Sequence, residues 1–334
     1  MPSAIITGTG SYLPEQRLTN QELEHWVFVN SKGDEYHVTS DEVVAKTGIL
    51  ERRIATTETL SYMAAEASKN AIKDAGLHPD DIDLVLLATT TPDYKLPKTS
   101  PLMAIKADMH GVAAYDFGKD SSGFLETLEA AAYYIIAGRY QNILVVGADK
   151  CSSFVNRRNK ATTVIFGDGA GAVVLSAVED PERGFLSAVA GSQGESFDKL
   201  LIPAGGSTEW FSPHTPESRD KLFMDGKAVA GYASQVFTMG VERVLAQEQL
   251  VPENLDVLIP HQANLRIIEA GAKALDFPMS KVIITLDKIG NTAAGSVPIA
   301  IDSAKKSGRL KNGNLVCLTA YGAGFSWIAA LMRW

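Results

Sequence analysis

The stretch LSYMAAEASKNAIKDAGLHPDDIDLVLLATTTP (60–92) decides the fold, because the chain repeats its plan once. Residues 60–77 carry apolar side chains at helical spacing, HPDDID forms a Pro-acidic turn, and LVLLATTTP (84–92) is a short apolar run that ends in a polar loop. The same succession returns in GYASQVFTMGVERVLAQEQLVPENLDVLIPHQAN (231–264). The match continues downstream: GRYQNILVVGAD (138–149) resembles GRLKNGNLVCLTA (308–320), and GDGAGAVVLSAV (167–178) resembles YGAGFSWIAALM (321–332). Short apolar runs alternating with helices predict βα units and α/β sheets buried on both faces. The repeat predicts two pseudo-symmetric halves with a site where they meet. Clustered Pro, Gly and charge in EDPERGF (179–185) put the boundary there, giving halves 1–180 and 181–334, and the polar stretch 192–222 reads as a loop or lid.

Bulk properties narrow the function. The 334 residues are enough for two packed halves, and 46% hydrophobic with 21% charged residues is the composition of a globular protein. A formal net charge of -8 argues against a general nucleic-acid binder. Cys151 and Cys317 lie in or beside apolar runs and read as small buried hydrophobes in a reducing compartment. MPSAIITGTGSYLPEQ lacks a basic n-region and a long apolar core, and no apolar stretch reaches the length of a membrane span. The expectation is a cytoplasmic protein with no membrane partner.

Three segments carry candidate chemistry. His261 follows VLIP at the C-terminal end of an expected strand, where α/β sheets bind ligands, although a structural turn histidine fits the same place. Asn291 stands in GNTAAGSVPIA (290–300), either as a plain turn residue or as an amide donor aimed into a site. In AAYDFGKDSSGFLETLEAAAYYIIAG (113–138) a strand end meets a helix that starts near Gly123. Asp120, Ser121 or Ser122 caps that helix, or a hydroxyl there is a nucleophile at a helix N-terminus. FGDGAGA (166–172) precedes a strand rather than a helix, so it reads as close backbone packing and not a dinucleotide loop. None of the six histidines has metal-ligand spacing, so no metal is expected.

Together, IITGTGSYLPEQ (5–16), TGILERRIA (47–55), LLATTTP (86–92), IFGDGAGAVVL (165–175), PHQANLRII (260–268), GNTAAGSVP (290–298) and the closing YGAGFSWIAALMRW resemble the β-ketoacyl-acyl carrier protein synthase III family. The resemblance implies a thiolase fold of two similar halves in five αβαβα layers, a homodimer, and no tightly bound cofactor. It implies a Cys-His-Asn triad in which His261 and Asn291 match and Ser121 stands at the cysteine position. It further implies acyl transfer from acyl-CoA, then condensation with malonyl-acyl carrier protein. The Ser121 and Ala323 N–H groups would form the oxyanion hole. Phe166, Leu200 and Leu222 would line the acyl channel, with Leu96 contributed across the dimer. Lys46, Lys160 and Arg266 fall near positions that receive CoA or the acidic carrier protein.

The chain departs from the family pattern at the nucleophile, where a hydroxyl needs a general base that a thiolate does not. Asp120 beside it would oppose thiolate formation if its carboxylate faced inward. Val43 stands near the place of an entrance tryptophan, so no aromatic is expected there, and the 28–42 segment is altered. Three readings of Ser121 follow: a cysteine replaced to trap a substrate complex, a native serine nucleophile in a specialised acyltransferase or starter-unit synthase, or a non-catalytic partner subunit.

Overall fold

In the computed structural model, which describes residues 2–212 and 214–334, the chain folds into two sheets separated and flanked by helices. Met1 and Pro213, which fall inside the expected first half and lid segment, lie outside the described residues. The elements that place the site are Ser3–Tyr12 (β1), Ser40–Thr47 (α1), Leu60–Asp74 (α2), Leu84–Ala88 (β2), Thr99–Lys106 (α3), Ala113–Phe117 (β3), Gly123–Ile136 (α4), Asn142–Lys150 (β4) and Asp168–Val178 (β5). They are followed by Gly184–Ser192 (β6), Gly226–Gln247 (α5), Val257–Pro260 (β7), Leu265–Ala274 (α6), Ser296–Lys306 (α7), Leu315–Gly322 (β8) and Ser326–Arg333 (β9).

The first sheet has the order β1-β5-β4-β2-β3, and the second β6-β9-β8-β7. In each, the strand that follows the repeated helix pairs in parallel with the strand that follows a central helix: Leu84 faces Ile143, and Val257 faces Val316. Where the first sheet adds β3, the second has a single parallel bridge between Leu258 and Val282. The strand alternation explains the layers. Leu84 and Leu86 point to the middle layer with Phe124, Leu128, Val297 and Ile301, while Val85 and Leu87 point outward to Met63, Ala67 and Met103. In the second sheet Val316 and Leu318 point to the same middle layer, and Leu315 and Cys317 pack outward on Phe237, Val244 and Ile268. The order is thus α2/α3, sheet, α4/α7, sheet, α5/α6, the five-layered thiolase arrangement. Cys151 and Cys317 are free and buried.

The glycine-rich run brings one half onto the other. A Cβ on Gly171 would lie 2.6 Å from the Ile299 backbone nitrogen, so only glycine lets β5 approach α7 this closely. Two boundaries differ from the sequence reading. Helix α5 begins at Gly226 rather than 231 because the Asp225 side chain caps it through Ala228 N–H. Tyr321 and Gly322 belong to the end of β8, which shifts the start of β9 to Ser326.

Candidate active site

Three chain segments converge where the two halves meet. Ser121 sits two residues before α4, after β3 has ended at Phe117, and is buried. Ser122 holds the N-cap position without a capping bond; its Oγ donates to Glu126 and meets Ser326 Oγ at 2.9 Å. The Ser122 side chain therefore does not cap the helix; Gly123 N–H donates to the Asp120 carbonyl at 2.8 Å, and Ser122 N–H faces the Asp120 carboxyl. His261 leaves β7 and is 2% exposed. Its loop is pinned by Gln262, whose amide donates to the Pro260 and Ile283 carbonyls and whose Oε1 accepts from Thr285 N–H. Asn291 is held by its backbone against Ile165 and Gly167, while its Oδ1 accepts from Ala293 N–H at 2.9 Å. Gly290 before it has φ +72 and abuts buried Arg52, which donates to the Leu18 and Val164 carbonyls.

Ser121, His261 and Asn291 line one cavity of about 470 Å³, together with Phe154, Phe166, Leu200 and Leu222. His261 Nδ1 lies 2.5 Å from Ser296 Oγ. Burial pushes the imidazole down to about 3, so it is neutral at physiological pH. A serine hydroxyl both donates and accepts. With Ser296 accepting from Nδ1–H, Nε2 is a base; with Ser296 donating, Nε2–H is a donor.

The oxyanion hole differs from expectation. Ala323 lines the cavity, but its N–H donates to the Asp120 carboxyl. The Asp120 carboxyl faces inward, and burial, reinforced by Asp149, pushes it up to about 7. Its companion Oδ1 is shut off from solvent without a partner. Asp149 itself is fully engaged, taking Thr90, Thr91 and Ala294 N–H groups that tie β4 to the Asn291 loop.

The remaining candidates separate. Phe166, Leu200 and Leu222 lie on the cavity; Leu200 starts the strand Leu200–Leu201, inside the expected lid of 192–222, and Leu222 directly precedes its partner strand Phe223–Met224. Leu96 does not line it and is 84% exposed. Lys46 and Lys160 stand on the rim, but both amines bind Glu42 Oε1, at 2.8 and 2.5 Å. Arg266 lies outside the cavity, on the first turn of α6, paired with Glu269 at 2.6 Å. Val43 is on the wall as expected, yet the altered segment does bring an aromatic near the rim: the Lys160 amine lies 5.8 Å from the Tyr36 ring. Arg157 lies 5.9 Å over Trp26. Sequence reasoning missed Ser296, Gln262 and Glu42. Ser296 and Gln262 stood inside the quoted motifs, but nothing in either motif points to the bond between Ser296 and His261. Among the described residues no cluster of His, Cys, Asp or Glu is placed to hold a metal, and no helix is long and apolar enough to cross a membrane.

Comparison with known proteins bears on the family and the fold. A family model described as 3-oxoacyl-[acyl-carrier-protein (ACP)] synthase III matches residues 115–194, and its C-terminal counterpart matches 245–334. A β-ketoacyl-[acyl-carrier-protein] synthase III of Caldanaerobacter subterraneus is 42% identical over 99% of this chain and 98% of its own. One from Xanthomonas campestris is 42% identical over 98% of each chain. The crystal structure of a 3-oxoacyl-[acyl-carrier-protein] synthase III from Aquifex aeolicus superposes with a TM-score of 0.89 at 37% identity, covering 99% of this chain and 100% of that one. With two segment matches, full-length relatives and the same fold, the chain belongs to the β-ketoacyl-[acyl-carrier-protein] synthase III family.

Proposed function

We propose that the chain takes an acyl group from acyl-CoA onto residue 121 and condenses it with malonyl-acyl carrier protein, releasing CO2 and a β-ketoacyl-acyl carrier protein. The observation that carries this reading is the meeting of Ser121, His261 and Asn291 on one largely apolar cavity. In the first half, Ser121 Oγ attacks the thioester carbonyl and its proton passes to neutral His261 Nε2. The C–S bond then breaks, and the CoA thiolate takes that proton, leaving an acyl-serine ester. In the second half, the malonyl carboxylate leaves as CO2 and its bond electrons form an enolate. The thioester oxygen of that enolate receives hydrogen bonds from His261 Nε2–H and the Asn291 amide. The enolate carbon attacks the acyl carbonyl, the C–O bond breaks, and the serine oxygen takes the proton of His261 Nε2–H, which a proton from solvent replaces. CoA thioesters are substrates here, and no bound cofactor takes part.

Ser121 reads as a native nucleophile rather than a trapped cysteine, because Asp120 is a second departure at the same place and lies inside the site. Whenever this carboxyl is ionised it would disfavour a neighbouring thiolate, whereas a neutral hydroxyl is unaffected. A subunit without chemistry of its own has no need of the His261–Ser296 pair. The protein acts as a homodimer: β3 is an edge strand with Tyr115 exposed, and pairing it with a second copy would cover it and bring Leu96 toward the partner's channel. Arg266 serves the acidic carrier protein, and Lys46 and Lys160 serve the CoA phosphates. The protein works in the cytoplasm.

Intact-protein mass spectrometry after exposure to a panel of acyl-CoAs tests the reading. The expected result is an acyl adduct at Ser121 whose mass names the donor. An adduct on Ser121→Cys alone would make the present chain a disabled condensing enzyme. No adduct on either form would exclude acyl transfer.

A further inference from the structure

The rim of the cavity carries a carboxylate where the phosphates of a donor have to pass. Glu42, on α1, lines the rim together with Lys46 and Lys160. Its Oε1 takes both amines, Lys46 at 2.8 Å and Lys160 at 2.5 Å. The three side chains are part-exposed, so neither contact is strong in itself. What matters to an incoming anion is the charge they leave. Two ammonium groups and one carboxylate sum to roughly one positive charge, spread over a single small cluster.

That charge says which donor the entrance fits. CoA brings about four negative charges, about two of them on its 3′-phosphate, and an adenine. A pantetheine arm attached to a carrier protein brings one phosphodiester, roughly one negative charge, and no base. The cluster matches the second and falls short of the first. The wall beside it runs on through Val43, Ala161 and Val164, aliphatic side chains with no ring for an adenine to stack on. The aromatics near the rim are already engaged: Tyr36 meets Phe28 at 6.1 Å and the Lys160 amine at 5.8 Å, and Trp26 lies under Arg157 at 5.9 Å. The condensation proposed above also brings a carrier's arm to this cavity, because the malonyl group arrives on one. Ser121, His261 and Asn291 share that cavity, so an arm that reaches the last two also reaches the serine.

We propose that Ser121 also takes acyl groups from the phosphopantetheine arm of an acidic carrier protein, and that Glu42, by offsetting one of the two lysine charges, makes this donor a better one than CoA. The step balances as it does with CoA. Ser121 Oγ attacks the thioester carbonyl of the arm and its proton passes to His261 Nε2. The C–S bond breaks, and the thiolate of the arm takes that proton and leaves on the carrier. Glu42 touches no reacting atom. It acts on the phosphate end of the donor, through Lys46 and Lys160, and so on donor choice rather than on the chemistry.

This inference rests on the acyl transfer proposed above, and a donor without phosphates separates the two. Single-turnover labelling of Ser121 is followed by intact mass at limiting donor, with the same acyl group carried on CoA, on pantetheine, on pantetheine capped as its methyl phosphodiester, and on a holo acyl carrier protein. The diester should label more efficiently than pantetheine, and more efficiently than CoA by about threefold to tenfold. The carrier protein should label at least as efficiently as the diester. E42Q should raise the efficiency of acyl-CoA by about threefold to tenfold, and by more than that of the diester. Acyl-CoA as efficient as the diester overturns the proposal. So does a carrier protein that leaves Ser121 unlabelled where the diester labels it, and so do equal effects of E42Q on CoA and diester. In each of these cases labelling by acyl-pantetheine leaves acyl transfer to Ser121 standing. If none of the donors labels Ser121, acyl transfer itself fails and takes this inference with it.

Discussion

Asp120 gives the folded state a proton that the unfolded chain does not keep. Its carboxyl rises from 3.8 to about 7 on folding, chiefly through burial. Between those values the native state binds more protons than the unfolded state, so folding stability is lost as pH rises from about 4 to about 7, and the loss is complete above that. An amide at this position has nothing to ionise. D120N should therefore gain stability over the parent across this window and hold the gain at higher pH, up to a ceiling of about 4 kcal/mol. Urea denaturation at about pH 4 and about pH 8 checks it, and an equal difference at both would refute the buried charge. Much of this residue-scale picture is legible in the sequence. His261 and Asn291 stand out as strand-end and turn residues without any family resemblance, and Asp120 is visible as a carboxyl that matters if it faces inward. Ser296 is not, because a serine in a small-residue turn carries no signal of the histidine 35 positions away that it bonds. The engagement of Ala323 by Asp120 joins residues 203 positions apart and is beyond reach for the same reason.

The elements around the donor entrance show how local rules reach a long-range result. Helix α1 starts on the Thr39 side-chain cap and ends on left-handed Gly48, both readable from sequence. Its Glu42 then meets Lys46 one turn on, an ordinary helix pair, and also Lys160 on a separate short helix. The two ammonium groups pull the Glu42 carboxyl down to about 2, with Lys160 the larger cause. Since both lysines spend charge on this carboxylate, E42Q should free them for phosphates. The expected change is a KM for acyl-CoA lower by about threefold to tenfold, with no change for an acyl-pantetheine that lacks the phosphates. Steady-state kinetics with the two donors decide it, and equal effects on both would place the clamp away from the nucleotide. The two-residue hairpin Phe28–Val29 with Glu35–Tyr36 that brings Tyr36 to this rim is too short for any hydrophobic period to reveal.

For the whole molecule, the repeat is the legible feature, because burial on both faces forces a continuous apolar run in every central strand. What the sequence conceals is the inequality of the halves: the first sheet ends in the unpaired edge β3, and the second ends in a single bridge. The exposed edge, with Tyr115 exposed on it, is the seam proposed for a second copy. Tyr115→Glu should dissociate the proposed dimer in analytical ultracentrifugation and, with Leu96 withdrawn from the partner's channel, lower acylation by long acyl groups more than by acetyl. A stable dimer in this variant would move the seam elsewhere. The register of the outer strands has one more consequence. Ser3 pairs with Val178 and Gly184 pairs with Arg333, and Ser3 Oγ also bonds the Asp180 carbonyl, so the two ends of the described chain and the joint between its halves gather at one edge of the molecule. The order in which the halves are translated is then incidental to the site they build: closed into a ring and reopened between residues 180 and 183, the polypeptide would still bring serine, histidine and asparagine to the same seam.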